Sequence, residues 1–576
     1  MLQDCIRIFE KNPNMYKLIL DTYTPADGTY LFMEESGDGF KQKELLEVKQ
    51  DKKTKELNIT EEEKSRISYY DYNSKLLTID KPIDKKKVIH SNNFLSFWIK
   101  KESLSNGKLT NERIDDYYDI LSNPYKKYTQ PKNKELYILT EENLEEINQE
   151  KLEKIRSWVK SNIFNLPIQL TGKDYFKIFF ICEGTNYVTE GQRYIIPNIY
   201  NKNDYNRRIG DKIFGLPNEN MGLNAKKPFL ENKSRNITVP LLVDTKHIMV
   251  RKKFFDYLWN LSSSGKSNLY FDIEKCRIDP YDSKSSPSSN FKGYYLRIRK
   301  DKNEAAILDM DMITSYEPEL KSPLVIDNVI GMDSNKLEKH TYGRLTKLYE
   351  VRDLINDVFF SKFLIPNFFT KPEEISISDS ILKGSIVTAR SSLFNWFYKG
   401  YESEVDSIMD RVSLNIIKNS IAKSYLDKVQ HQFNARISFL EFFKGGKRRM
   451  ADVMKEIRDT LREKISSKEY RSIGTDEEYY YAVGQLLRYF ISLNKSTKKN
   501  HSLFNPFLNI KNNKLLKEKI RVFFKKYNYA IDVTSLRFNN LYNLVISYQP
   551  ETELNQDYMI AGYISNNLIY EKKEEN

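Results

Sequence analysis

Tyr479-Tyr-Tyr-Ala-Val-Gly-Gln-Leu-Leu-Arg-Tyr-Phe-Ile491 sets Tyr479, Ala482, Val483, Leu486, Leu487, Phe490 and Ile491 at the i, i+3, i+4, i+7 spacing of one helix face, without a break. A stripe this continuous has to be covered by other apolar surface. Three more follow it: Leu515, Leu516, Ile520, Phe523, Phe524 and Tyr527; Phe538, Leu541, Tyr542, Val545 and Ile546; and Leu554, Tyr558, Ala561, Ile564 and Leu568. Four amphipathic helices joined by short links can bury their stripes together as a bundle. Working back along the chain, the helical character holds to about Thr341.

Upstream of Thr341 the pattern is mixed. Tyr175-Phe-Lys-Ile-Phe-Phe-Ile-Cys182 has the composition of a buried strand. Leu269–Ile273 and Tyr294–Ile298 also read as strands, with a Ser-rich loop over Asp282–Asn290 between them. Helices are expected at the N-terminus (Met1–Glu10), over Leu144–Val159 and over His247–Leu261. In the last of these, Met249, Phe254, Phe255, Leu258 and Trp259 form a stripe better suited to a core than to stacking bases. Two hairpins are expected: Tyr16–Tyr23 with Gly28–Met33, and Ile67–Tyr72 with Lys75–Ile79. The fold class is therefore α+β, a mixed α/β N-terminal region followed by a helical C-terminal domain ending in a four-helix bundle. The expected segments are 1–340, a connecting helical region 341–449, and the bundle 450–576.

With 576 residues, 40% of them apolar and 13% aromatic, the chain can fill several cores, and global disorder is excluded. No stretch nears the roughly 18 apolar residues of a membrane span, and the N-terminus lacks the basic-then-apolar pattern of a signal peptide. Cys5, Cys182 and Cys276 lie far apart with no CxxC pair, which disfavours a disulfide framework and a zinc ribbon and fits a reducing cytoplasm.

The net charge is +13, unevenly spread. Residues 201–300 hold twenty Lys or Arg against ten Asp or Glu, and residues 441–576 hold 24 against 17. A Lys bias from an AT-rich genome would spread along the chain, whereas concentrated positive charge is the footprint of a polyanion partner, most often nucleic acid. Within the first stretch the loop Asn218–Arg235 interleaves Asn224, Lys226, Lys227, Asn232, Lys233 and Arg235 with an apolar anchor, Pro228-Phe-Leu230. Lys and Arg suit phosphates and Asn can read base edges; an ordinary surface loop with a buried Phe is the plainer alternative. Arg207 and Arg208 upstream, and Arg251, Lys252 and Lys253 downstream, extend this expected DNA-binding surface. A second cluster, residues 494–526, holds ten Lys or Arg against one Glu. Of these, Lys495, Lys498, Lys499, Lys511, Lys514, Arg521 and Lys525 are candidates for gripping a single strand.

Chemistry is harder to find. Gly265-Lys266-Ser267 resembles the tail of a phosphate loop, but Asn260 stands where the first glycine is needed. Asp309 and Asp311, alternating on an expected strand, would place two carboxylates on one face, as a two-metal nuclease or nucleotidyltransferase needs. No third carboxylate is identifiable, and the alternative is a half-exposed strand with its polar face in water. The five histidines are scattered in sequence. No metal or other cofactor is indicated, so a binding subunit is the better reading than an enzyme.

Met221-Gly-Leu-Asn-Ala-Lys-Lys-Pro-Phe-Leu-Glu-Asn-Lys-Ser-Arg235 with Val239-Pro240, Tyr479–Arg488, and Ala561-Gly-Tyr-Ile-Ser-Asn-Asn-Leu-Ile-Tyr-Glu571 resemble, in order and spacing, the large subunit of type I-B CRISPR Cascade, the Cas-eight-b family. The resemblance runs from about Asn165 to the end. It implies a non-enzymatic role in antiviral defence, as part of a crRNA-guided complex with backbone and handle-binding subunits. Such a subunit reads the protospacer-adjacent motif in double-stranded target DNA, assists R-loop formation, and presents its helical C-terminal domain to the displaced strand. A helicase-nuclease is recruited for cutting. Some relatives carry a zinc ribbon, which this sequence lacks. The resemblance also implies a small subunit made from the same gene. Lys444-Gly445-Gly446 can be encoded as a ribosome-binding purine run, and Met450 follows as a candidate internal start.

Overall fold

The computed structural model describes residues 1–37, 39–166, 172–222, 239, 241–302, 304–445, 449–496, 499–510 and 512–571. Sheets occupy the N-terminal half and helices the C-terminal half, an α+β fold. The chain divides into two compact units, Met1–Ser283 with Gly293–Met312, and Lys284–Lys292 with Ile313–Asn576. The first unit thus closes at Met312 rather than near 340, and residues 313–340 group with the helical half.

The first unit is built on two four-stranded sheets. In one, β1 (Gly28–Ser36) pairs antiparallel with β2 (Gly39–Val48) and parallel with β4 (Tyr175–Ile181), whose other edge takes β3 (Ser96–Lys100). Strand β4 is covered on both faces, which is why its sequence runs apolar instead of alternating. The exception is Lys177. Its ammonium lies 2.5 Å from Asp71, and both residues are buried. Asp71 also accepts from the Tyr23 hydroxyl at 2.8 Å, and the Lys177 ammonium stands 4.1 Å from the ring centroid of Trp98. Burial pulls the Lys177 pKa down, against the opposing pull of Asp71.

Both expected hairpins are corrected. Met15–Thr22 is a helix, because Ile19 and its neighbours pack with the Thr245–Ser263 helix in one core, and tertiary burial overrides the β-propensity of Tyr, Ile and Thr. Glu61–Ser74 is also a helix, started by a capping box in which Glu63 N–H donates to the Thr60 hydroxyl and the Thr60 N–H donates to the Glu63 carboxylate. Gly28–Met33 instead pairs with β2 across the turn at Gly37.

Three short strands, β5 (Arg207–Ile209), β6 (Lys212–Gly215) and β7 (Val243–Asp244), precede the Thr245–Ser263 helix. The second four-stranded sheet has the order β11-β10-β8-β9, from β8 (Lys266–Asp272), β9 (Arg277–Asp282), β10 (Phe291–Lys300) and β11 (Ala305–Tyr316). Of the expected stripe on Thr245–Ser263, Phe254, Phe255 and Leu258 are buried with Leu269, Phe271 and Leu296, Met249 is partly buried against them, and Trp259 is half-buried at a cavity wall.

The second unit opens with β12 (Glu319–Ile326) paired to β13 (Gly343–Lys347), then turns helical. Helices Asp476–Ser492, Asn513–Tyr527 and Leu536–Ser547 carry the first three expected stripes, and Gln556–Ile564 carries Tyr558, Ala561 and Ile564 of the fourth, whose Leu554 and Leu568 lie outside the helix. A further helix, Met450–Ser466, adds Met454, Ile457, Leu461 and Ile465 to the same core. That core does not stop at Met450. It includes Val329, Ile330, Ile417, Ile421, Val429, Phe433 and Ile437 from earlier in the chain.

Candidate nucleic-acid interface

The Asn513–Tyr527 helix has a buried apolar face and an exposed face that carries most of its cations, with Leu515 and Val522 also exposed. Leu516, Ile520 and Tyr527 are buried, while Lys514, Arg521, Lys525 and Lys526 are exposed. Asn512 caps the helix by accepting from Lys514 N–H at 2.8 Å. Lys514, Arg521 and Lys525 stand at i, i+7 and i+11, a single line about 16 Å long at the helical rise per residue. Among the described residues, none of Lys495, Lys514, Arg521, Lys525 and Lys526 forms an ion pair. Arg156 and Arg462, by contrast, are each held by carboxylates. Positive charge left without a counter-charge in the fold is charge available to a ligand.

The same surface holds an aromatic group that the charge count could not reveal. Tyr529 is 58% exposed, and the Lys495 ammonium lies 5.0 Å from its ring centroid. An open ring beside unpaired cations is what a stacked base and its phosphate require. Lys499 turns inward and donates to the Asn494 carbonyl, and Lys517 is buried, donating to the Tyr548 carbonyl. Lys498 and Lys511 lie outside the described residues.

In the other basic stretch, Asn224, Lys226, Lys227, Asn232, Lys233 and Arg235 lie outside the described residues. Arg207 and Arg208 are exposed on β5, with Arg208 paired to Glu135 at 3.2 Å. The expectation for Arg251 and Lys252 is corrected, since both are buried. Arg251 donates to the Met221 carbonyl at 3.0 Å and sits over the Phe255 ring, and burial lowers its pKa to about 10. Lys252 lies 2.5 Å from Asp256, one helical turn on, which also accepts from the Tyr72 hydroxyl. Lys253 is half-buried beside Tyr16. Arg251 and Lys252 thus anchor the helix from within its packed side. A nearby cavity of about 510 Å³ is lined by Asp80, Glu219, Asp301, Glu304 and Trp259, and its carboxylates disfavour a phosphate there.

Asp309 and Asp311 fall on one side of β11, as alternation requires, but that side is half-buried and Met310 and Met312 face the more open side. Among the described residues, no group of three or more His, Cys, Asp or Glu is placed to hold a metal ion. Gly265 follows a helix and precedes β8, the reverse of the strand–loop–helix order of a phosphate loop. The three cysteines are free thiols, and no helix is long and apolar enough to cross a membrane. The histidines are less scattered in space than in sequence. The His340 and His431 rings lie 4.4 Å apart; His340 meets Asp357 at 2.8 Å, and burial together with His340 pulls His431 down to about 4.

The two C-terminal motifs that carry the resemblance turn out to be one packed unit. Gly484 and Gly562 lie where the Asp476–Ser492 and Gln556–Ile564 helices cross. A Cβ on Gly484 would stand 2.7 Å from Tyr563 N, and one on Gly562 would stand 2.9 Å from the carbonyl carbon of Tyr481. Buried Gln485 donates to the Gly562 carbonyl at 2.6 Å and accepts from Leu568 N–H at 2.9 Å. Glu571 closes the segment by pairing with Arg458 and Arg462. These residues build the scaffold beneath the cationic helix and do not form its surface. Compared with known protein families and with curated proteins, the sequence matches none.

Proposed function

We propose that this chain is the non-catalytic large subunit of a crRNA-guided type I-B Cascade complex acting in antiviral defence in the cytoplasm. In this reading it contacts crRNA-bound backbone and handle-binding subunits and recognises the protospacer-adjacent motif in duplex DNA through the 201–240 region. It holds the displaced strand on the Lys495–Lys526 surface, and a helicase-nuclease recruited after binding does the cutting. The observation that carries the reading is the unpaired cationic line Lys514, Arg521, Lys525, with Lys495 and Tyr529 beside it. Guide pairing reads the long sequence in such complexes, so the protein needs charge, shape and one short tag.

The triple variant Lys514→Glu, Arg521→Glu, Lys525→Glu is expected to weaken single-stranded DNA binding about 10- to 100-fold at physiological salt, and to flatten the slope of log K against log salt by about two, since each phosphate contact on a single strand adds about 0.7. Fluorescence anisotropy over a salt series measures both; an unchanged slope would remove this face from the binding site. The metal-dependent nuclease or nucleotidyltransferase reading makes a different forecast. Asp309→Asn with Asp311→Asn is expected to leave DNA binding and complex assembly unchanged. Loss of a metal-dependent activity in that variant, measured on labelled DNA, would favour the enzyme instead.

A small subunit starting at Met450 would keep all four expected helical stripes and the Met450–Ser466 helix, but would lose the covering supplied by Val329, Ile417, Val429 and Phe433. It would also lose the pairing of Arg436 with Asp557 and the bond from Gln430 to the Ile564 carbonyl. Such a product would need a neighbouring subunit to cover the exposed face.

A further inference from the structure

The second unit contains a cavity of about 270 Å³ whose lining includes Lys284, Ser286, Ser288, Lys347, Tyr349 and Arg352. It shares no residue with the expected DNA-binding residues of either basic stretch and lies between the Ser-rich loop that follows β9 and the start of the Leu348–Val358 helix. Buried groups fix its walls. The Tyr316 hydroxyl, on a side chain 1% exposed, lies 2.9 Å from Ser286 Oγ and 3.3 Å from the Phe397 carbonyl. Arg352 is buried and donates to the Lys284 carbonyl, while its other edge meets Asp353 at 2.8 Å. The loop is thereby held by a hydroxyl at one point and a guanidinium at another, which fixes Ser286 at the cavity wall. Lys347 is exposed and forms no ion pair among the described residues; its ammonium lies 5.9 Å from the ring centroid of Tyr349, which is 48% exposed. Glu319 stands opposite Lys347 in the β12–β13 register and is the acidic group of the lining, with no ion pair between the two.

Hydroxyl donors, an unpaired ammonium and an open aromatic face converge here on a space just below the roughly 300 Å³ where drug-sized pockets begin. A bare anion would leave the ring unused, and an apolar ligand would leave the ammonium and hydroxyls without partners. We propose that this cavity binds one nucleoside monophosphate unit, either free or as one residue of a single strand, with the phosphate on Lys347 and the serine hydroxyls and the base on Tyr349. This site is independent of the target-DNA reading, because it shares no residue with the Asn513–Tyr527 face.

The test is calorimetric titration of the full chain with AMP, adenosine and inorganic phosphate, repeated on Tyr349→Ala and Lys347→Gln. Both positions are exposed, so melting temperatures should hold. AMP is expected to bind saturably and at least tenfold more tightly than either fragment. Tyr349→Ala should weaken AMP about five- to 100-fold, the range for losing one base stack, and Lys347→Gln should make binding less salt-sensitive. The Lys514, Arg521, Lys525 triple variant should bind AMP like the unmodified chain. A single-stranded oligonucleotide that displaces AMP identifies a strand residue as the occupant, whereas AMP binding without displacement identifies the free nucleotide. No saturable binding by AMP or by a strand, equal binding of adenosine and AMP, or affinities unchanged in both variants would overturn the proposal.

Discussion

Replacing Lys177 by Met is expected to destabilise the first unit by about 3–5 kcal/mol, because it strands the Asp71 carboxylate in the core with no cation. Asp71 is fully buried in the last turn of the Glu61–Ser74 helix, and Lys177 sits within β4. The Tyr23 hydroxyl donates to Asp71, and the Tyr30 hydroxyl lies 3.3 Å from the Lys177 ammonium, so the remaining polar capacity of the pair is met. Trp98 faces the ammonium, adding an attraction that strengthens once the cation is desolvated. The cost of the single change comes from the orphaned charge more than from the lost attraction. The double variant Lys177→Met, Asp71→Leu should therefore recover much of the loss, as apolar replacements of buried pairs commonly do. Because the chain has two units, the loss should be read by hydrogen exchange at β4 and not from one global transition. Equal protection of β4 in the single variant and the unmodified chain would show that the pair contributes nothing.

The other large effect belongs to the helix crossing at Gly484. Glycine inside a helix costs up to about 1 kcal/mol relative to alanine, so local preference argues against it there. Packing requires it, since the atoms opposite are the main chain of the Gln556–Ile564 helix, which cannot rotate away as a side chain can. Gly484→Val should cost upward of about 3 kcal/mol, the top of the usual range for overpacking. At about 2–4 °C per kcal/mol for a unit of this size, the melting temperature of the helical unit should fall by roughly 6–12 °C. Gly562→Val should do the same from the other side. A Gly484→Val protein melting within a degree or two of the unmodified chain would mean the two helices do not touch through their backbones.

What could be read in the sequence was what local spacing encodes. The stripe beginning at Tyr479 and the run at Tyr175–Cys182 are periodic or continuous over their own length, and both elements formed. The misread elements depend on distant partners. The Met15–Thr22 helix has strand-like residues and is helical because the Thr245–Ser263 helix covers it. The Glu61–Ser74 helix had a legible signal, the capping box at Thr60 and Glu63, masked by the Ile-Ser-Tyr-Tyr run after it. Charge counting located the two basic regions, yet it could not separate Lys514, which faces out, from Lys252, which turns in toward Asp256. The Lys252–Asp256 spacing of four on a helix was the available clue. Tyr529 had none, because one tyrosine among 39 carries no pattern; only its exposure beside Lys495 distinguishes it.

The most direct test of the account is photocrosslinking of this chain, assembled with its crRNA and backbone subunits, to target DNA carrying photoreactive bases in the displaced strand and in the tag duplex. Displaced-strand adducts are expected on peptides within 494–529 and tag-duplex adducts within 201–240. Adducts absent from both regions, with the assembled complex still bound to its target, would contradict it.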